Sequence, residues 1–318
     1  MRTGRTSSVI RAVPIDKELA QAMKGQPSIQ AAPGETSVDA ERRRRREWHE
    51  LRCTTARAGI AITNEERNGV TFRQYQGPEV QATLLWLHGG GWAYGEPRFD
   101  DAMLTEFALK ANLKIVSVDY RLAPENPYPA ALTDALTVYQ HLIQGTEAPV
   151  FIGGASAGAT ICAGMTLRLR DDSGRLPSAL MLICPPLDDE AVDDDEGPLR
   201  RSDMNNFWAQ YLHGSSIDEY AAPARASSLV GLPHTYIYTT SADPLRFEAW
   251  RFAERLVAAG TEATVRFVPG GFHGFEYEAP DALFTRRAVN EWVSTLQAMT
   301  ANAQQPEPDA QLGEGEPS

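Results

Sequence analysis

From residue 58 onward the chain alternates two hydrophobic rhythms. Short, nearly continuous apolar and β-branched runs stand at Thr83–Leu87, Lys114–Val118, Val150–Gly153, Ala179–Ile183, Thr235–Thr239 and Thr264–Val268, separated by helix-length amphipathic segments. Runs without polar alternation predict strands buried on both faces. Strand, helix, strand repetition predicts a mostly parallel sheet covered on both sides, an α/β fold class. Residues 157–170 read as one covering helix, with Ala159, Ile161, Cys162, Met165 and Leu169 at roughly helical spacing. Another follows residue 243, with Ala249, Phe252, Ala253 and Leu256 on one face.

The rhythm breaks after Pro185-Pro186. An acidic stretch, LDDEAVDDDEG, leads into an aromatic, helix-like segment around Phe207, Trp208 and Tyr211, so residues 186–222 read as an insertion over the sheet. Residues 1–55 are polar and helix-prone, and 56–185 with 223–299 form the expected core. The tail 300–318 is rich in Pro, Gly and Glu and is expected to be disordered.

Composition narrows the field. With 318 residues and 42% hydrophobic content, the chain can bury a sizeable core. A net charge of −12 disfavours nucleic acid and anionic membrane as partners. The basic run Arg42–Arg46, bounded by Glu41 and Glu47, reads as a solvated helix face, with a nucleic-acid or targeting patch as the alternative. No apolar stretch of about 18 residues predicts a membrane span, and no apolar h-region follows the basic N-terminus. Cys53, Cys162 and Cys184 are too scattered for a disulfide framework or metal cluster, so a reducing cytoplasm is the expected location. The acidic run lacks the spacing of a calcium loop and reads as solvated.

The chemistry concentrates in four places. Gly154-Ala155-Ser156-Ala157-Gly158 is a G-x-S-x-G pentapeptide between a strand and a helix. That pattern suits a strained turn that presents a nucleophilic serine, although a tight turn in any α/β protein could carry it. A side chain at either flanking glycine is expected to collide with the neighbouring strand and helix. The hydroxyl would lie at a helix N-terminus, where free N–H groups favour developing negative charge. His88-Gly89-Gly90-Gly91 follows an early apolar strand and would expose backbone N–H donors to an oxyanion. A phosphate loop is the rival, but neither GxxxxGK[ST] nor GxGxxG is present. His88 reads as a brace for that loop rather than as the base. Asp243 follows one strand and His273 the next, the order in which this constellation places acid and base after the serine. Asp243 could instead cap the helix behind it, and a loop histidine can be surface decoration. His49, His141, His213 and His234 fit the base position less well.

The segments HGGGWAYG (88–95), DYRLAPENPYPAAL (119–132), GASAG (154–158), DPLRFE (243–248) and HGF (273–275) resemble, in order, the hormone-sensitive-lipase-like family of α/β-hydrolase esterases. The resemblance covers roughly residues 58 to 299. It implies an α/β-hydrolase fold with about eight strands and a helical cap built from 186–222 and the N-terminal segment. It also implies Gly90 and Gly91, together with Ala157, as oxyanion donors. A homodimer through the last strand is plausible on the same ground. Two positions depart from the family: Ala155 and Phe247 stand where it commonly has acidic residues.

The expectation is a serine carboxylic-ester hydrolase for small to medium acyl esters, working through Ser156, His273 and Asp243 with no cofactor or metal. Trp92, Tyr94, Trp208 and Phe272 are candidate substrate-binding walls, with Phe207 beside them, although aromatics are often plain core. A pathway deacetylase or amidohydrolase is an alternative. A non-catalytic small-molecule receptor of the same fold is another, disfavoured by the complete set of three residues.

Overall fold

The computed structural model describes residues 14–24, 31–52, 59–190 and 197–305. Two helices, α1 (Lys17–Met23) and α2 (Ser37–Arg52), precede the sheet. Strands β1 (Ala61–Arg67), β2 (Val70–Gln76) and β3 (Ala82–Leu87) follow, then α3 (Asp101–Lys110), β4 (Leu113–Val118), α4 (Ala130–Ile143) and β5 (Val150–Ala155). Next come α5 (Ala157–Asp171), β6 (Ala179–Ile183), α6 (Arg201–Leu212), β7 (Thr235–Ala242) and α7 (Arg246–Ala258). The described residues close with β8 (Ala263–Phe272), the single turn α8 (Phe275–Glu278) and α9 (Leu283–Ala303).

The eight strands form one sheet in the order β1-β2-β4-β3-β5-β6-β7-β8. Only the β1/β2 and β2/β4 pairs are antiparallel. The parallel strands bury alternate side chains into two separate cores. Leu85, Leu87 and Ile152 face one core, while Leu84, Trp86 and Phe151 face the other. Covering both faces explains why these strands are apolar throughout.

Two strands escaped the hydrophobic pattern. β1 is an edge strand whose residues are mostly exposed, so AITNEER has no apolar rhythm. Its hairpin with β2 turns at Asn68-Gly69, both at positive φ (52° and 79°), and that dipeptide is a strong hairpin signal in its own right. The boundary expected at residue 300 also moves, since α9 continues to Ala303. The remaining tail from 306, and Cys53, lie outside the described residues. At the other edge, β8 carries an exposed Phe267 whose ring lies 6.5 Å from that of Trp250.

The segment 186–222 contains α6, and its aromatics point two ways. Trp208 and Tyr211 are buried and gather around Trp92, with ring centroids at 4.4 and 4.5 Å. They continue the core beneath α4 and α5. Phe207 faces instead the glycine loop after β3, where its ring would meet a Cβ on Gly91 at 2.8 Å. Trp208→Ala is therefore expected to destabilise the protein by about 3–5 kcal/mol, the usual cost of truncating a buried Trp. Acyl-chain selectivity should change little. Urea unfolding beside a chain-length profile checks both.

Candidate active site

Ser156 sits between β5 and α5 at φ 51°, ψ −125°, a conformation that L-residues avoid. Its N–H donates to the Ile183 carbonyl of β6 at 2.8 Å, which fixes the turn to the sheet. The sharp turn brings α5 hard against β3. A Cβ on Gly158 would run into the Leu87 carbonyl, and one on Gly154 would stand 2.7 Å from it. The collision expected from the pentapeptide is thus with the C-terminal end of β3.

The ends of β7 and β8 bring up the other two groups. His273 Nε2 lies 2.8 Å from Ser156 Oγ, and its Nδ1 lies 3.0 Å from Asp243 Oδ2. A carboxylate only accepts, so Nδ1 carries the proton and Nε2 is free to take one from the serine. Asp243 is fully buried, and its Oδ1 accepts from the Leu245 N–H at 2.9 Å. Asp243 is not the cap of α7, whose N-cap is Leu245; one of its oxygens holds the turn before that helix and the other holds the imidazole. Burial opposes charging His273, but the Asp243 carboxylate outweighs it and raises the ring's pKa above the ordinary value. Cys184, at the end of β6, places a thiol beside Asp243, and burial keeps it protonated.

The glycine loop is fixed from several sides. Gly90 has φ 129°, and a Cβ there would overlap the Tyr94 carbonyl. The N–H groups of Gly90, Gly91 and Ala157 donate to no other described residue. His88 is buried and stacks on Tyr120 at 4.2 Å, and its Nδ1 donates to the Gly89 carbonyl at 2.8 Å. Burial lowers its pKa, so it braces the loop as a neutral ring. The Tyr277 hydroxyl accepts from Gly89 N–H at 3.4 Å.

Sequence reasoning missed one brace altogether. Arg42 on α2 donates to the carbonyls of Ala93 (2.9 Å) and Ala123 (3.0 Å) and pairs bidentately with Glu125 at 2.8 Å. One guanidinium thus ties α2 to the glycine loop and to the segment after β4. Its neighbours are also paired: Arg43 with Glu35 and Glu47, Arg44 and Arg45 with Glu41, and Arg46 with Glu96. Arg42 and Arg46 fasten α2 to the loop after β3, while Arg43, Arg44 and Arg45 pair with acids on or just before their own helix, Arg43 on its exposed face. No local pattern could reveal the Arg42 brace, because Glu125 lies 83 residues away.

The candidate aromatic walls all stand in packed surroundings. Trp92, Trp208 and Phe272 are all buried, the first two in the stack with Tyr211 and Phe272 in the opposite core with Trp292. Tyr94 is also buried, edge-on to Phe207 and beneath Arg45. None of the four lines the cavity of about 720 Å³ between α2, α3, α8 and α9, which reaches Gly89 and Gly90. Apolar bulk marks core and pocket alike, so composition could not separate them. Glu248, retained beside the departure at Phe247, is buried and accepts from the N–H groups of Leu187 and Asp188 at 2.8 and 2.7 Å. It fastens the start of the insertion to α7.

Residues 84–277 match the family model described as alpha/beta hydrolase fold. The chain belongs to this family. It is 33% identical over 235 residues to the carboxylic ester hydrolase LipN of Mycobacterium tuberculosis, covering 68% of this chain and 62% of LipN. An acetyl-hydrolase of Streptomyces hygroscopicus is 30% identical over 217 residues, covering 65% of this chain and 72% of that protein. Among solved structures, esterase LipW of Mycobacterium marinum superposes with TM-score 0.77 at 28% identity, covering 91% and 98% of the two chains. A bacterial heroin esterase gives TM-score 0.79 at 27% identity, covering 90% and 98%. The α/β-hydrolase fold accounts for the strand order and for the turn at Ser156. Among the described residues no helix is long and apolar enough to cross a membrane.

Only neutral His273 can accept a proton from Ser156. Because Asp243 raises its pKa, turnover of a neutral ester should fall on acidification through a value above the ordinary pKa of about 6.5. A pH profile of kcat/KM with an acetate ester checks the position of that limb.

Proposed function

We propose that the protein is a serine carboxylic-ester hydrolase for small to medium acyl esters. The observation that carries this reading is the unbroken chain Ser156 Oγ, His273 Nε2, His273 Nδ1, Asp243 Oδ2, with contacts of 2.8 and 3.0 Å. Ser156 attacks the ester carbonyl as His273 takes its proton, and Asp243 stabilises the imidazolium that forms. The tetrahedral oxyanion is held by the N–H groups of Gly90, Gly91 and Ala157, each such donor contributing about 2.7–4 kcal/mol in comparable sites. Collapse expels the alcohol, which takes the proton back from His273. Water then attacks the acyl-serine with His273 again as base, and the acid leaves.

The named activities of the relatives support an ester substrate. The acetyl-hydrolase among them favours a short acyl group, and a dedicated deacetylase falls within the same chemistry. Phe207, resting over Gly91, is the candidate wall facing the glycine loop.

Ser156→Ala should fold normally, since the hydroxyl contributes little packing, and should lose turnover by about 10⁴-fold or more. Mass spectrometry after organophosphate treatment should show one adduct on the parent chain and none on the variant. An adduct at another serine would overturn the assignment.

A further inference from the structure

The cavity beside the glycine loop holds an unusual set of buried acceptors. Asp100, at the start of α3, is 2% exposed; its Oδ2 accepts from Trp86 Nε1 at 2.7 Å, and the Tyr277 hydroxyl also bonds its carboxyl, so its neighbours are neutral donors and not a cation. Glu276 on α8 has a buried Oε2 without a partner, and so has the Thr285 hydroxyl on α9. His88 is 1% exposed, and its Nε2 is likewise buried and unpartnered. Since His88 Nδ1 donates to Gly89, Nε2 of the neutral ring can only accept. All four residues line the same cavity, together with Gly89, Gly90, Trp48, Phe99 and Tyr277.

Cations nearby do not answer these acceptors. Arg44 and Arg45 line the cavity but are both engaged by Glu41, Lys110 is engaged by Glu106, and Arg286 donates to the Asp281 carbonyl. Buried acceptors left without donors are costly, and two buried carboxyls without a cation more so. A single metal ion does not fit them. Among the described residues the only metal-capable trio with its ligand atoms within 4.8 Å is Cys184, Asp243 and His273, so His88, Asp100 and Glu276 are too spread to share one ion. The group that satisfies them is extended, rich in N–H donors and positively charged.

We propose that this cavity receives the primary-ammonium-bearing arm of the ester substrate, with Asp100 and Glu276 taking its charge, His88 Nε2 accepting a further hydrogen bond, and Trp48 and Phe99 covering its alkyl stem. This rests on the hydrolase reading, because the cavity's inner wall is the loop that would hold the oxyanion. Burial holds both carboxyls at a pKa of about 7. The groups facing them are Asp101 and Tyr277 beside Asp100, and His273, Asp243 and Asp100 around Glu276; the cavity is also lined by Arg44, Arg45 and His49 of α2, by Glu96, by Glu106 and Lys110 of α3, by Glu278 of α8, by Asp281, and by Arg286 of α9. Below about pH 7 the carboxyls are protonated and neutral; above it they are anionic, so ammonium binding should strengthen as pH rises.

The test is calorimetric binding of hexylammonium and of hexan-1-ol to the full chain, so that no turnover is needed. At about pH 8 the ammonium should bind about tenfold or more tighter than the alcohol, and the ratio should shrink by about pH 6. Asp100→Asn and Glu276→Gln, both isosteric, should each cut the ratio at about pH 8. Equal binding of the two ligands at both pH values, or a preference untouched by either substitution, would overturn the proposal. An ammonium preference in a protein that forms no acyl-enzyme would sink the hydrolase reading alone. Burst hydrolysis of p-nitrophenyl acetate without any ammonium preference would sink this inference alone.

Discussion

Everything in the site depends on how closely α5 approaches the end of β3. Leu87 lies opposite Gly154 in the β3/β5 ladder, and its carbonyl touches the space a Cβ of Gly158 would need. Because neither glycine has a side chain, the chain can reverse direction within one residue, and that residue takes the strained conformation at φ 51°. The strain is held by the Ser156 N–H bond to Ile183 and by the first turn of α5. One contact therefore places the hydroxyl, points the open N-terminus of α5 at it, and puts the loop after β3 alongside.

The remaining parts arrive through the parallel sheet. Strands running in one direction end at one edge, so the loops after β3, β5, β7 and β8 converge there by topology alone. Asp243 and His273 then need only the side chains' own reach. The register shift between Thr240 and Ala242 in the β7/β8 pair falls just before Asp243. Around this edge the fastenings are polar and long-range: Arg42 to Glu125, Glu248 to Leu187 and Asp188, Tyr277 to Gly89.

That contrast explains what could be read from the sequence. The buried strands, the helix at 157–170 and the serine turn announce themselves by apolar runs and glycine spacing, because local sterics demand those residues. The order Ser156, Asp243, His273 was legible for the same reason: each follows a strand. β1 was not, since a solvent-facing edge strand has no apolar rhythm. The roles of Arg42 and of the buried pair Asp100 and Glu276 were not, since their meaning lies in partners, or missing partners, far along the chain. Trp92, Trp208 and Phe272 are buried in the two cores, and an aromatic beside a motif looks the same in sequence whether it lines a pocket or fills a core.

The most direct measurement is the stability and turnover of Gly158→Ala. In an ordinary helix this change stabilises by about 1 kcal/mol, because glycine is the poorer helix former. Here the added methyl meets the Leu87 carbonyl, so the account predicts the opposite sign: a loss of about 1–3 kcal/mol in denaturant unfolding, with kcat reduced alongside as the serine turn shifts. A Gly158→Ala protein more stable than the parent and equally active would contradict it.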